Sequence, residues 1–135
     1  MYFDYERYYV YLCHNTQTDS IKIGHTNHVI NRVRALNRDN PNKKFLNNDK
    51  NLPLSAWTFV RAYYDITGVD LEGRAHEHLK KLTDPDSPIG EVFKCSVDTG
   101  INVLENIIAN EMSAEDREKI KLLSNWKAVL KHHGE

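Results

Sequence analysis

The 135-residue chain has few cysteines, few glycines and no long apolar run, and each shortage removes a class of protein. Two cysteines, Cys13 and Cys95, are too few for a disulfide framework and form no CxxC or CxxH pair. They read as reduced thiols in apolar strands, without catalytic duty. Seven histidines do not add up to a zinc motif, because AHEHLKK sets Lys80 where the second histidine of HExxH would stand. No stretch approaches the roughly 18 apolar residues of a membrane span. MYFDYERYY carries acidic residues where a signal peptide would be apolar, so the expectation is a soluble protein of the cytoplasm, nucleoid or nucleus. No internal repeat or low-complexity tract stands out. An excess of positive charge is also missing: 18 Lys/Arg against 19 Asp/Glu give a net charge of -1. That balance argues against a domain that coats nucleic acid by electrostatics alone.

What is present is the composition of one globular domain, 40% hydrophobic and 27% charged. Its charge is uneven. Residues 1–64 hold nine Lys/Arg and five Asp/Glu (+4), whereas residues 65–135 hold nine and fourteen (-5). The front half can therefore face phosphate. Tyr8 to Cys13 and Ile21 to Gly24 are rich in aromatic and β-branched residues around a polar NTQTDS turn, which predicts a hairpin. From His28 to about Arg38, Val29, Ile30, Val33 and Leu36 follow helical spacing, with Thr26 or Asn27 as N-cap. Arg32 and Arg34 flank that stripe on opposite sides. Residues 40–55, with Lys43, Lys44 and Lys50, read as a long loop able to touch a polyanion. WTFVRAYY is the third strand. In DLEGRAHEHLKKL, Leu71, Ala75, Leu79 and Leu82 make one helical stripe, and Glu72 and His76 at i,i+4 share a side. EVFKCSV, with Glu91, reads as a short strand or extended segment. Residues from Thr99 to about Asn110 predict another helix, and SAED then opens a terminal amphipathic helix. The expected division is a domain over residues 1–112, with residues 113–135 packed on it or used for dimerisation.

Phosphodiester cleavage needs a base near the attacking water, a cation for the phosphate and a carboxylate for a divalent ion. Tyrosines and histidines crowd the hairpin, Arg32 and Arg34 follow it, and Glu72 lies on the later helix. Singly, these residues have plainer roles. Tyr11 can be a strand aromatic, Glu72 with His76 an exposed pair, and Arg32 an ion-pair partner of some acid in the other half.

Order and spacing separate the two readings. Tyr9-Val10-Tyr11, then Lys22-Ile23-Gly24, Thr26, Arg32, Glu72, His76 and the Glu91-Val92-Phe93 segment resemble the GIY-YIG nuclease superfamily over about residues 8 to 97. The branch is that of phage open-reading-frame domains and fungal meiotically up-regulated gene domains. The resemblance implies an α+β fold with a three-stranded antiparallel sheet flanked by helices, plus an extra C-terminal helix. It implies a metal-dependent DNA endonuclease in which Tyr11 serves the attacking water, Arg32 the phosphate, and Glu72 a single Mg²⁺ or Mn²⁺. Gly24, Thr26, His76 and Glu91 would support them, and Arg34, Lys43 and Lys44 would bind substrate. Lys22 stands where the second tyrosine of the superfamily would be, so Tyr11, Lys22 and His25 are all candidate bases. DNA is the implied partner, with RNA an alternative and no membrane. Near-neutral charge implies weak intrinsic affinity, so a homodimer or a partner protein would add DNA specificity. The rival expectation is a nucleic-acid-binding or interaction module that keeps the fold without turnover.

Overall fold

Two runs of alternating side chains, Tyr9–Asn15 (β1) and Ser20–Thr26 (β2), pair antiparallel through a turn at residues 16–19. The turn is built by Asn15, whose Oδ1 accepts from the N–H groups of Gln17 and Thr18 at 3.0 and 3.2 Å. The structure, a computed structural model, describes residues 8–39, 57–83 and 92–124. Along the chain follow α1 (Val29–Asp39), β3 (Trp57–Tyr64), α2 (Leu71–Leu82), β4 (Val92–Phe93), α3 (Val97–Glu111) and α4 (Ala114–Leu123).

The result is an α+β domain on a four-stranded antiparallel sheet, ordered β3-β1-β2-β4. The resemblance implies three strands; the fourth, β4, forms within EVFKCSV, which the sequence reads as a short strand or extended segment, and pairs Phe93 with Ile21 and Val92 with Lys22.

The two sheet faces bury different cores. On one, Val10, Leu12, Ile21 and Ile23 pack with Leu71, Ala75 and Leu79 of α2 and with Leu104 and Ile107 of α3. Helix α3 comes so close that a Cβ on Gly100 would lie 2.6 Å from Cδ1 of Ile21. On the other, Tyr9, Tyr11 and Cys13 pack with Val29 and Leu36 of α1 and with Trp57 and Ala62 of β3. A β-bulge, where Leu12 pairs Arg61 but Cys13 pairs Phe59, keeps Phe59 and Ala62 on this same face despite their odd spacing.

Helix limits differ from the expected ones in instructive ways. The cap of α1 is His28 rather than Thr26 or Asn27: its Nδ1 accepts from Asn31 N–H at 3.3 Å, while Thr26 Oγ1 accepts from His28 N–H at 3.1 Å. Leu71, Ala75 and Leu79 are buried, but Leu82, at the last turn of α2, is 64% exposed. Spacing alone does not say where the partner surface ends. Ser113 caps α4 through Asp116 N–H, and Ile120 is buried against the α2/α3 core. The sequence also places Trp126, Val129 and Leu130 on the apolar stripe of this terminal helix, and they lie outside the described residues.

Candidate active site

Strand alternation sends Tyr11 to the α1 side of the sheet, where it is fully buried. Its cross-strand partner is Gly24. A side chain at this position is impossible without movement, because a Cβ on Gly24 would run into the Tyr11 hydroxyl and lie 2.5 Å from its Cζ. The glycine thus leaves the tyrosine its place across β2. Helix α1, which starts three residues after Thr26 closes β2, then brings Arg32 over the ring: Arg32 Nε donates to the Tyr11 hydroxyl oxygen at 3.2 Å. Lys22, two residues before Gly24, points to the same face and is 6% exposed. Tyr11, Lys22, Gly24 and Arg32 are therefore brought together.

Helix α1 is held in register by a residue that the sequence did not single out. Asn37 forms a two-bond clamp on the backbone of Trp57: its Oδ1 accepts from Trp57 N–H at 2.8 Å and its Nδ2 donates to Trp57 C=O at 3.2 Å. Its amide matches the donor and acceptor of an edge strand.

Glu72 and His76 come from α2, which packs along β2. The ring of His76 meets Ile23 C=O at 2.7 Å through Nε2 and packs 5.3 Å from the ring of Phe93. Through this contact with the Ile23 carbonyl, His76 ties α2 to the β2 backbone. Glu72 lies one turn before His76 on the same helix. It is half-buried, with its Oε2 sealed from solvent.

The fold and this geometry have a counterpart among known families. The chain belongs to the T5orf172 domain family. The family model matches residues 8–108, from the residue before β1 into α3. T5orf172 domains are nuclease-like and DNA-interacting, and the match agrees with the phage branch suggested by YVY and KIG. No curated protein and no solved structure matches the chain.

Other predicted T5orf172 site residues lie apart from Tyr11. His25 follows Gly24 and so points to the opposite face, where its Nε2 lies 2.9 Å from Asp65 Oδ2 and its ring stacks on Tyr8 at 4.5 Å. Burial raises the Asp65 carboxyl above its ordinary value, while His25 pulls it down. Arg34 is exposed on α1 and does not share the Tyr11–Arg32 contact. Thr26 supports the start of α1. Glu91, Lys43 and Lys44 lie outside the described residues.

Cys13 and Cys95 are both free. Burial pushes the Cys13 thiol up to about 12 despite the nearby Lys22, and burial and Asp19 push Cys95 up to about 11. Thiols so raised are poor nucleophiles at neutral pH. Among the described residues no group of three or more His, Cys, Asp or Glu could hold a metal, and no helix is long and apolar enough to cross a membrane. A lone carboxylate does suit Mg²⁺ or Mn²⁺, hard ions that take one or two protein carboxylates and fill their shell with water and phosphate oxygens. Glu72 fits that role.

Proposed function

We propose that the chain is a metal-dependent DNA endonuclease that hydrolyses phosphodiester bonds by in-line attack of water. The observation that carries this reading is the Tyr11–Arg32 contact above a side-chain-free Gly24, at 3.2 Å. It couples a proton-exchanging hydroxyl to a phosphate-binding cation on one sheet face.

Arg32 carries five N–H donors in a rigid fork, and the bond to Tyr11 uses one of them. A guanidinium fork of this kind matches the oxygens of a phosphate. The same bond fixes the Tyr11 oxygen, which orients an attacking water and receives or passes its proton. Lys22, on the same face, adds positive charge at the bottom of the site and is the second candidate for proton transfer. Tyr11 is the better one, since the fork directly contacts it. His25 is set aside by its position across the sheet, tied to Asp65. A Mg²⁺ or Mn²⁺ ion held by Glu72 would supply charge stabilisation at the leaving oxygen. His76 positions Glu72 by anchoring the next turn of α2 to β2.

Plasmid DNA tests this directly. The purified chain should nick supercoiled DNA with Mg²⁺ or Mn²⁺ and stop on adding a chelator. Glu72→Gln and Arg32→Ala should each lower the rate by about 100-fold or more, the scale of losing one transition-state charge contact. Cleavage that survives in the double variant would sink the assignment. DNA binding with no cleavage under either metal would favour a binding module on the same fold.

A further inference from the structure

A second feature lies at the end of the sheet where β1 begins and β2 and β3 end. A cavity of about 440 Å³ opens there, walled by Tyr8, His25, Tyr64 and Asp65 and by the loop through Gly68 to Asp70. One wall is a flat aromatic stack. The rings of Tyr8 and His25 lie 4.5 Å apart at 10°, and Tyr8 is 37% exposed. Asp65 holds this stack in place through its 2.9 Å pair with His25, and its carboxylate is only 18% exposed. A carboxylate has about four acceptor positions, so the pair with His25 does not exhaust it. Gly68, at φ +90, turns the facing loop with no side chain to fill the space.

The chemistry of the lining narrows the ligand. It contains two aspartates, Asp65 and Asp70, and neither lysine nor arginine, so it repels phosphate. An aromatic face beside a sheltered acceptor instead suits a flat ring that carries N–H donors. Tyr8 stands three residues before Tyr11 on the same chain, about 10 Å along the strand direction and, like His25, on the opposite sheet face. A DNA strand with a phosphate at Arg32 reaches it by passing round this end of the sheet, a few nucleotides on.

We propose that this pocket takes an unpaired nucleobase with an exocyclic amine, stacked on Tyr8 and hydrogen-bonded to Asp65, so that the protein favours DNA with an unpaired base a few nucleotides from the cleavage point. The proposal deepens the endonuclease reading and rests on it for the position of the substrate strand. It also gives His25 a role as the stack's inner ring.

The test uses the full chain carrying Glu72→Gln, and three fluorescein-labelled DNA hairpins: fully paired, with one unpaired adenine, and with one unpaired thymine. Fluorescence anisotropy should show the adenine hairpin binding about tenfold tighter than the paired one, the scale of one base–aromatic stack. Tyr8→Ala should erase that preference, Tyr8→Phe should keep it, and Asp65→Asn should bring adenine down to the thymine level. Equal binding of the paired and adenine hairpins, or an adenine preference unchanged by Tyr8→Ala, would overturn the pocket. Plasmid nicking by the unaltered chain separates the two readings. Nicking without the adenine preference removes the pocket alone, whereas a Tyr8-dependent preference without nicking removes the nuclease and leaves the pocket.

Discussion

At the scale of single residues, the site depends on what is not there. Gly24 carries no Cβ, and the space this leaves is occupied by the Tyr11 hydroxyl. Tyr11 is fully buried between the sheet and α1, so its ring cannot swing aside to admit a methyl group. Gly24→Ala should therefore lower stability by about 1 to 3 kcal/mol, the range for overpacking a filled core, and pull the hydroxyl off Arg32. Urea unfolding and plasmid nicking report the two effects separately. Tyr11→Phe removes the hydroxyl without adding volume, so it should lose nicking while keeping stability within about 1 kcal/mol of the parent. Full nicking by Tyr11→Phe would mean that the proton passes elsewhere, with Lys22 the next group on that face.

At the scale of elements, the position of Arg32 is a property of how α1 sits on β3. Two side-chain bonds from Asn37 to the Trp57 backbone fix that seating. Asn37→Ala leaves a backbone donor and acceptor unmet at a part-buried strand end, which should cost about 2 kcal/mol. It should also loosen Arg32, so the nicking rate should fall further than at Arg34→Ala, an exposed change on the same helix. Hydrogen exchange of the α1 amides checks whether the helix itself has loosened. This clamp was illegible in the sequence, as were the other joints of the site. Local patterns carry the apolar stripes of α1 and α2 and the alternation of β1 and β2, since each is set within a few residues. The Asn37–Trp57 and His76–Ile23 contacts join positions 20 and 53 residues apart, which no local period records. Side-chain parity also decided His25: once β2 runs through Ile23 and Gly24, the histidine must face away from Tyr11. The Tyr11–Arg32 contact was reachable only through the resemblance, because nothing local links a strand tyrosine to an arginine 21 residues later.

At the scale of the whole molecule, a net charge of -1 hides a division between the sheet faces. On the α2/α3 side several cations are engaged by acids: Arg61 with Glu105 at 3.0 Å, and Arg74 and His78 with Glu111 at 2.9 and 3.0 Å. Those pairs hold the Glu111 carboxyl below its ordinary value, Arg74 first and His78 second. The proposed phosphate contacts are Arg32 and Arg34 on α1, together with Lys43 and Lys44, proposed from the sequence as substrate contacts. If all four touch phosphate, log Kobs against log salt should have a slope of about -3.6, from -0.9 per contact on duplex DNA. The variant with Lys43→Ala and Lys44→Ala should then flatten the slope to about -1.8 while weakening every sequence alike. Anisotropy on a paired hairpin between low and physiological salt, in the Glu72→Gln background, measures both. An unchanged slope in the lysine variant would confine the contacts to α1. A slope much steeper than -3.6 would mean that a second copy of the chain brings its own cations to the same DNA.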